Sequence, residues 1–576
     1  MQRRRSFYLL LQSTLSTNFD MSFLKATNPK LAVYLTTLLL IACGTQKGVF
    51  TKKNIKTSQR LIGIEFSKQK IDTLQEYLKR NKKGYDSLRK YPISDEVFPA
   101  ILFDPKPSGF QIPMSKDTVL TWTVPDNVPM PDDQSELAFY TIPKLASLIK
   151  NKKITSLELT QFYLDRLKKY SPKLECTITL TENLALARAK QLDNELAQGE
   201  YRGILHGIPY GVKDLMSVKG YPTTWGSEPY KTQRIEETAT VVERLDEAGG
   251  ILVAKLVSGA LARGDVWFGG KTRNPWDITK GASGSSAGSG SATSAGLVPF
   301  ALGTETLGSI TSPSSKNGIT GLRPTYGRVS RHGVMSLSWS MDKVGPMCRN
   351  AEDCAIVFSI IRGKDKKDKT TTSIPFSYNQ KLDVKTLKVA YLKDDIEKDT
   401  TKGKANLLKA MTTFKKMGIE PTPVSLPTDV PYDGFDIILR SESGAFFDEL
   451  VRSGEVDIMV EQHKRSRANS LRQSRFIPAV EYLQANRHRQ ILIEKMHQIM
   501  KEYDVLISPS FGNRQLIITN LTGHPVIAIP TGLDDEKLPT SLTLVGNLYD
   551  EGKILVLAKY FQEVTEYDEL HPEGYD

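Results

Sequence analysis

The sequence predicts an α/β fold in which a β-sheet is covered by α-helices on both faces. Two observations carry this. Short apolar runs of strand length, Ile251-Leu252-Val253, Val505-Leu506-Ile507 and Val526-Ile527-Ala528-Ile529, read as buried strands. Between them lie segments of helical periodicity, one ending at Gly249-Gly250 immediately before the first of those runs.

In chain order, Leu31 to Ala42 is a nearly apolar run of 12 residues, preceded by Lys25 and Lys30 and followed by Cys43. A bilayer span needs about 20 such residues, so this is the shape of a signal peptide. Leu40-Ile41-Ala42-Cys43 resembles a bacterial lipoprotein lipobox, which implies acylation of Cys43 as a lipid anchor. The expectation is an exported protein of the bacterial cell envelope, on the periplasmic or outer-membrane side and attached to membrane by its N-terminal lipid. A cytoplasmic location is the alternative if no signal operates. Met21 makes a more usual start than Met1, because residues 21–42 have the length and polarity of a signal peptide.

Residues 44–134 read as an extension: one amphipathic helix marked by Ile71, Leu74, Tyr77 and Leu78, then an extended Pro-rich stretch through Pro105, Pro107, Pro113, Pro125, Pro129 and Pro131. We read it as a covering arm. From Leu137 helical texture begins, in Leu145, Leu148 and Ile149 and again in Leu157, Leu159, Phe162, Tyr163 and Leu167. Residues 135–576 form one large catalytic domain, and Lys364 to Thr372 reads as an exposed loop within it.

The net charge of +12 is spread along the chain and interleaved with Asp and Glu. Its one compact cluster outside the N-terminus, Lys364 to Lys369, is broken by two Asp, so no nucleic-acid partner is expected. Four cysteines, Cys43, Cys176, Cys348 and Cys354, are too scattered for a disulfide framework, and no Cys/His cluster has zinc spacing. The expectation is no metal and no cofactor. Nothing in the sequence fixes the oligomeric state.

The densest chemical signal is Gly281 to Gly321, where small residues surround serines. Small side chains leave backbone N–H groups free to converge on an oxyanion, and a serine in the same loop can act as nucleophile. A flexible Gly/Ser linker is the plain alternative. It is excluded by Leu297, Val298, Phe300, Ala301 and Leu302, which continue a core-like sequence.

Five motifs occur in order. They are His206-Gly207-Ile208-Pro209-Tyr210-Gly211-Val212-Lys213-Asp214, then Ser283-Gly284-Ser285-Ser286-Ala287-Gly288-Ser289, then Gly303-Thr304-Glu305-Thr306-Leu307-Gly308-Ser309-Ile310, then Gly321-Leu322-Arg323-Pro324-Thr325, then Asn520-Leu521-Thr522-Gly523-His524-Pro525. Together they resemble the amidase signature family, over residues of about 135 to 565. The resemblance implies the family's fold, a large mixed β-sheet with helices on both faces. It also implies hydrolysis of a carboxamide C–N bond through an acyl-enzyme on Ser309. Ser285 would be the bridging serine in a cis peptide after Gly284, and Lys213 the base. The backbone N–H groups of Thr306, Leu307, Gly308 and Ser309 would form the oxyanion hole. The implied partner is a small-molecule or peptide amide.

Physical chemistry supports these roles. Ser309 must lose a proton to attack an amide, and a lysine can take it only when neutral. A lysine free in water is neutral less than one time in a thousand near pH 7, so Lys213 must be desolvated. Three positions depart from the commonest family pattern: Glu305 for Asp, Leu307 for Gly and Thr311 for Arg. Leu307 forbids easy positive φ and adds bulk beside the nucleophile.

Other readings stay open. Gly284-Ser285-Ser286-Ala287-Gly288 also fits the G-x-S-x-G elbow of an α/β-hydrolase, with Ser286 as nucleophile, but that motif needs a preceding strand and residues 277–284 are polar and glycine-rich. A P-loop ending at Gly270-Lys271-Thr272 is excluded by Asp265 where glycine is required. Within the resemblance stands the glutamyl-tRNA amidotransferase of the A type, and outside enzymology a surface-anchored binding protein of the same fold. His206 and His524 read as packing or turn residues. Substrate-pocket walls are expected from Phe435 to Arg452 and near Trp339.

Overall fold

The computed structural model of the protein describes residues 49–576 except 62, 89, 92, 93, 96, 98 and 113–119. The segment read from sequence as a signal peptide, with Cys43, lies outside the described residues. Contacts divide the chain into two units, one ending at Ile93 and one running Ser94–Asp576.

The first unit contains the helices Lys52–Leu61 and Lys68–Leu88. The stripe read from sequence lies on the second of these, yet of that helix only Ile71 is fully buried. Ile55 and Gln59 are buried on the first helix, and Gln59 Oε1 accepts the Phe66 N–H at 2.7 Å.

The second unit is built on an eleven-stranded sheet. Its strands are β1 (Thr177–Leu180), β2 (Pro209–Lys213), β3 (Ile251–Leu256), β8 (Phe300–Glu305), β9 (Thr320–Arg323), β10 (Lys343–Cys348), β11 (Val389–Leu392), β12 (Thr422–Val424), β13 (Val505–Pro509), β14 (Val526–Leu533) and β15 (Pro539–Gly546). Four short strands between β3 and β8 make two separate ribbons: β4 (Val266–Trp267) with β5 (Gly270–Lys271), and β6 (Arg273–Asn274) with β7 (Asp277–Gly281). The order across the sheet is β1-β3-β2-β8-β10-β9-β14-β15-β13-β11-β12. Pairing is parallel for β3-β2-β8 and again for β13-β11-β12, and antiparallel elsewhere, so the sheet is mixed.

Alternation along the strands explains the two helical layers. In β3, Ile251 and Val253 pack with Leu164, Leu167 and Ala292, whereas Leu252 packs in the cluster of Leu145, Val242 and Phe300. In β13, Val505 and Ile507 share that cluster, while Leu506 meets Leu492 and Met496 of the helix Ala479–Met500. Side chains of period two thus feed two cores, and both faces need helices. The helix Ser156–Leu174 starts with a full capping box: Thr155 Oγ1 accepts the Glu158 N–H at 3.1 Å and Glu158 accepts the Thr155 N–H at 2.8 Å.

The Pro-rich stretch groups by its contacts with the sheet: Trp122, Val124, Val128 and Met130 pack on the main core, and Trp122 Nε1 donates to Ser359 Oγ at 3.3 Å. One expectation changes. The loop Lys364 to Thr372 is not exposed throughout. Asp368 is buried and pairs with the buried Arg331 at 3.1 Å, while Asp365 accepts hydrogen bonds from Ser330 and Thr240. The two acidic residues that break the basic run are the ones that fold inward.

Candidate active site

Lys213 ends β2, and the parallel pairing of Val212 with Leu302 of β8 sets it beside Thr304. The side chain is wholly buried, and its Nζ donates to Ser285 Oγ at 2.7 Å and Thr304 Oγ1 at 2.9 Å. Burial holds Lys213 well below the ordinary lysine range, against the opposing pull of Asp342 and Glu305. A neutral amine next to a serine hydroxyl can accept its proton. Just behind it, Asp214 is fixed by a buried ion pair with Lys255 at 2.7 Å and by the Thr224 N–H at 2.8 Å.

Ser285 follows a cis peptide bond to Gly284. Gly284 has no room for a side chain, because a Cβ there would lie 1.9 Å from the Gly264 carbonyl oxygen. The small residues that follow form the helix Ala287–Ser294, every residue of which is buried. A Cβ on Gly288 would lie 2.2 Å from Val257 N of the adjacent chain segment, so close packing explains the composition and the linker reading fails. Ser286 Oγ is buried between the carbonyl and the N–H of Thr304, both at 3.2 Å, which leaves it no path to a substrate. A strand does precede Gly284, contrary to expectation: β7 pairs with β6 despite its polarity because it sits in an exposed ribbon outside the main sheet.

Ser309 lies half-buried between β8 and the helix Thr311–Asn317. Its carbonyl accepts the Ser286 N–H at 3.3 Å, which brings it alongside the Ser285 segment. Its hydroxyl makes no hydrogen bond to any described residue, so the Lys213–Ser285 link is formed and the Ser285–Ser309 link is not. Catalytic hydrogen bonds commonly tighten only with substrate bound. The N–H groups of Thr306, Leu307, Gly308 and Ser309 likewise donate to no described residue and remain available to an oxyanion.

The departures from the family pattern resolve together. The positive φ of the loop, 91°, falls on Gly308, so Leu307 is accommodated without strain. Glu305 and Thr311 meet: Glu305 Oε2 accepts the Ile310 and Thr311 N–H groups, both at 2.9 Å, and the Thr311 hydroxyl at 3.1 Å. Its Oε1 takes Arg323 at 2.7 Å and Asn520 at 2.9 Å. Burial opposes the charge of Glu305, yet Arg323, the Thr311 amide and Lys343 hold the carboxyl down to about 2.

His206 and His524 occupy structural positions. His206 Nδ1 accepts the Arg202 N–H at 3.2 Å, and His524 Nδ1 shares a hydrogen bond of 2.7 Å with the Thr522 hydroxyl. Burial pushes His524 down to about 3. Among the described residues no group of three or more His, Cys, Asp or Glu could hold a metal ion. Sequence reading gave Thr304 no role of its own although it stands in the third motif, and it missed Asp342 and Glu442, because an ordinary carboxylate carries no motif signal until strand register brings it to the site.

A mixed sheet that presents to a serine a buried lysine of weakened proton affinity, beside a loop of free N–H groups, marks the class of enzymes that act on C–N bonds. The chain belongs to the amidase signature family: the family described as Amidase matches residues 158–518. It is 33% identical over 481 residues to the A-type glutamyl-tRNA(Gln) amidotransferase chain of Geobacillus kaustophilus, spanning 75% of this chain and 99% of that protein. Native peptide amidase from Stenotrophomonas maltophilia superposes with a TM-score of 0.66 at 26% identity, over 76% of this chain and 98% of that one. The A-type glutamyl-tRNA(Gln) amidotransferase chain from Thermotoga maritima does so with a TM-score of 0.63 at 26% identity, over 76% and 97%.

Proposed function

We propose that this protein hydrolyses a carboxamide through an acyl-enzyme on Ser309. Neutral Lys213 takes the Ser285 proton as Ser285 takes that of Ser309, and Ser309 Oγ attacks the carbonyl carbon. The resulting oxyanion is held by the N–H groups of Thr306, Leu307 and Gly308. The proton returns through Ser285 to the leaving nitrogen, the C–N bond breaks, and water releases the carboxylate by the same path. The observation that carries this reading is the 2.7 Å contact between the wholly buried Lys213 and Ser285.

Two substrates compete for this chemistry. Glutamine, in the manner of an A-type amidotransferase, is favoured by the curated relatives, which bear that name at 31–33% identity over nearly their full length. A peptide or small-molecule amide is favoured by the likeness to peptide amidase, the stronger of the two superpositions above. The test is ammonia release by the purified protein from L-glutamine and from a peptide C-terminal amide, together with peptide mass spectrometry after a fluorophosphonate. Glutamine turnover alone supports the first, peptide-amide turnover the second, and a folded protein with neither turnover nor a Ser309 adduct refutes both. We also propose that Cys43 bears the lipid that ties the protein to the cell envelope. Cys43→Ala should move the protein from the membrane fraction to the soluble one, and an unchanged distribution refutes the anchor.

A further inference from the structure

We propose that Asp342 is a positioning residue of this site, holding the oxyanion loop through Thr306 and serving as counter-charge to Lys213 when it carries the proton; this rests on the amide-hydrolase reading above.

Asp342 immediately precedes β10, whose pairing of Lys343 with Glu305 brings it level with Thr306, the first residue of the oxyanion loop. Its Oδ1 accepts the Thr306 hydroxyl at 2.5 Å, and its Oδ2 accepts the N–H groups of Leu337 and Ser338 at 2.7 and 2.9 Å. Burial raises the Asp342 pKa, and the three donors that converge on it, with Arg331 nearby, oppose that rise and favour the carboxylate. The other end of this tether is itself fastened. Ser338 Oγ and Ser340 N donate to Glu442 at 2.5 and 3.0 Å, Tyr482 OH donates to the same carboxylate at 2.9 Å, and Arg489 donates to Ser340 Oγ at 2.9 Å. A run of buried and part-buried hydrogen bonds therefore reaches from Thr306 to the helices Asp436–Phe446 and Ala479–Met500.

Asp342, Thr304 and Thr306 also line one cavity of about 10 Å³ with Leu215 and Lys343. The charged groups that Asp342 acts on electrostatically are Lys213 of β2, Lys343 of β10, Arg331 of the preceding loop and Arg467 of the helix Arg467–Ser474, and Glu305 of β8 acts on Lys213 with it. When Lys213 takes the serine proton it becomes an ammonium with no water around it. Asp342 and Glu305 are the negative charges that it meets there. Removing one of these anions weakens the hold of Lys213 on a proton, so the neutral, reactive form persists to lower pH while the loop loses its tether.

The experiment is the rate of Ser309 phosphonylation by a fluorophosphonate as a function of pH, on the full chain. Asp342→Asn should shift the acid limb to lower pH by about 1 unit and lower the plateau rate. Thr306→Val, which cuts the tether and keeps the charge, should lower the plateau about tenfold or more and leave the limb in place, and Thr306→Ser should restore it. An Asp342→Asn limb that coincides with the parent's, or Thr306→Val labelling at the parental rate, overturns the proposal. The Thr306 pair decides the matter even where Asp342→Asn fails to fold. A parent protein that never labels at Ser309 overturns the amide-hydrolase reading itself.

Discussion

Replacing Lys213 with methionine should abolish Ser309 reactivity and yet stabilise the protein at neutral pH. A lysine in water costs roughly 4 to 5 kcal/mol to keep neutral near pH 7, and the folded chain bears that cost because Lys213 is wholly buried while the unfolded chain does not. Against this stand its hydrogen bonds to Ser285 and Thr304, worth about 1 kcal/mol each. Methionine fills a similar space with no proton to exclude, so Lys213→Met should raise the unfolding free energy by roughly 2 kcal/mol. The sign depends on pH. Lys213 binds a proton more weakly when folded than when unfolded, so its contribution to stability falls as pH drops below the ordinary lysine range. The advantage of methionine should be present near pH 7 and turn into a loss of about 1 kcal/mol near pH 10, where the unfolded lysine is itself losing its proton and the two missing hydrogen bonds dominate. Urea unfolding midpoints at the two pH values read the stability, and fluorophosphonate labelling of Ser309 should fall by about 100-fold or more with the base gone. A variant that gains no stability over the parent on going from pH 10 to pH 7, or one that labels within tenfold of it, refutes the assignment of Lys213 as a neutral buried base.

Glu305→Ala should strand the buried Arg323 and cost about 3–5 kcal/mol, read as a lower urea midpoint, and Arg323→Met added to it should recover part of the loss. Ser286→Ala should keep the adduct on Ser309 at a cost of about 1 kcal/mol for its bonds to Thr304, whereas loss of all labelling would favour Ser286 as nucleophile. Burial pushes the Asp568 carboxyl from 3.8 up to about 6, so it holds its proton more tightly folded than unfolded and stability declines as pH rises through that interval. Asp568→Asn should flatten this decline in urea midpoints compared at about pH 4 and pH 7, and an undiminished decline refutes the reading.

The sheet was legible because its strands are apolar at consecutive positions. Ile251-Leu252-Val253 and Val505-Leu506-Ile507 serve two cores at once, a demand that leaves a plain mark on composition. Lys213 and Ser285 were legible through ordered motifs, and the structure brings both together. The network around Asp342 was not, since it depends on β8 pairing with β10, and register is not written locally. Nor did composition foretell that the polar residues Asp277 to Gly281 make a strand, since they pair with the adjacent Arg273 and Asn274 in a ribbon with no apolar pattern, or that Asp368 turns inward, which is decided by the distant Arg331.

The reach of Glu305 bears on when the site is completed. Its carboxylate, which supports the start of the helix after Ser309, is completed by Asn520, and Arg323 beside it is satisfied by the His524 carbonyl. A growing chain displays Lys213, Ser285 and Ser309 long before residue 520 leaves the ribosome. Until it does, the Ser309 loop lacks the hydrogen bond by which Asn520 holds Glu305, so the part of the chain that is made last completes the support of a loop that is made much earlier.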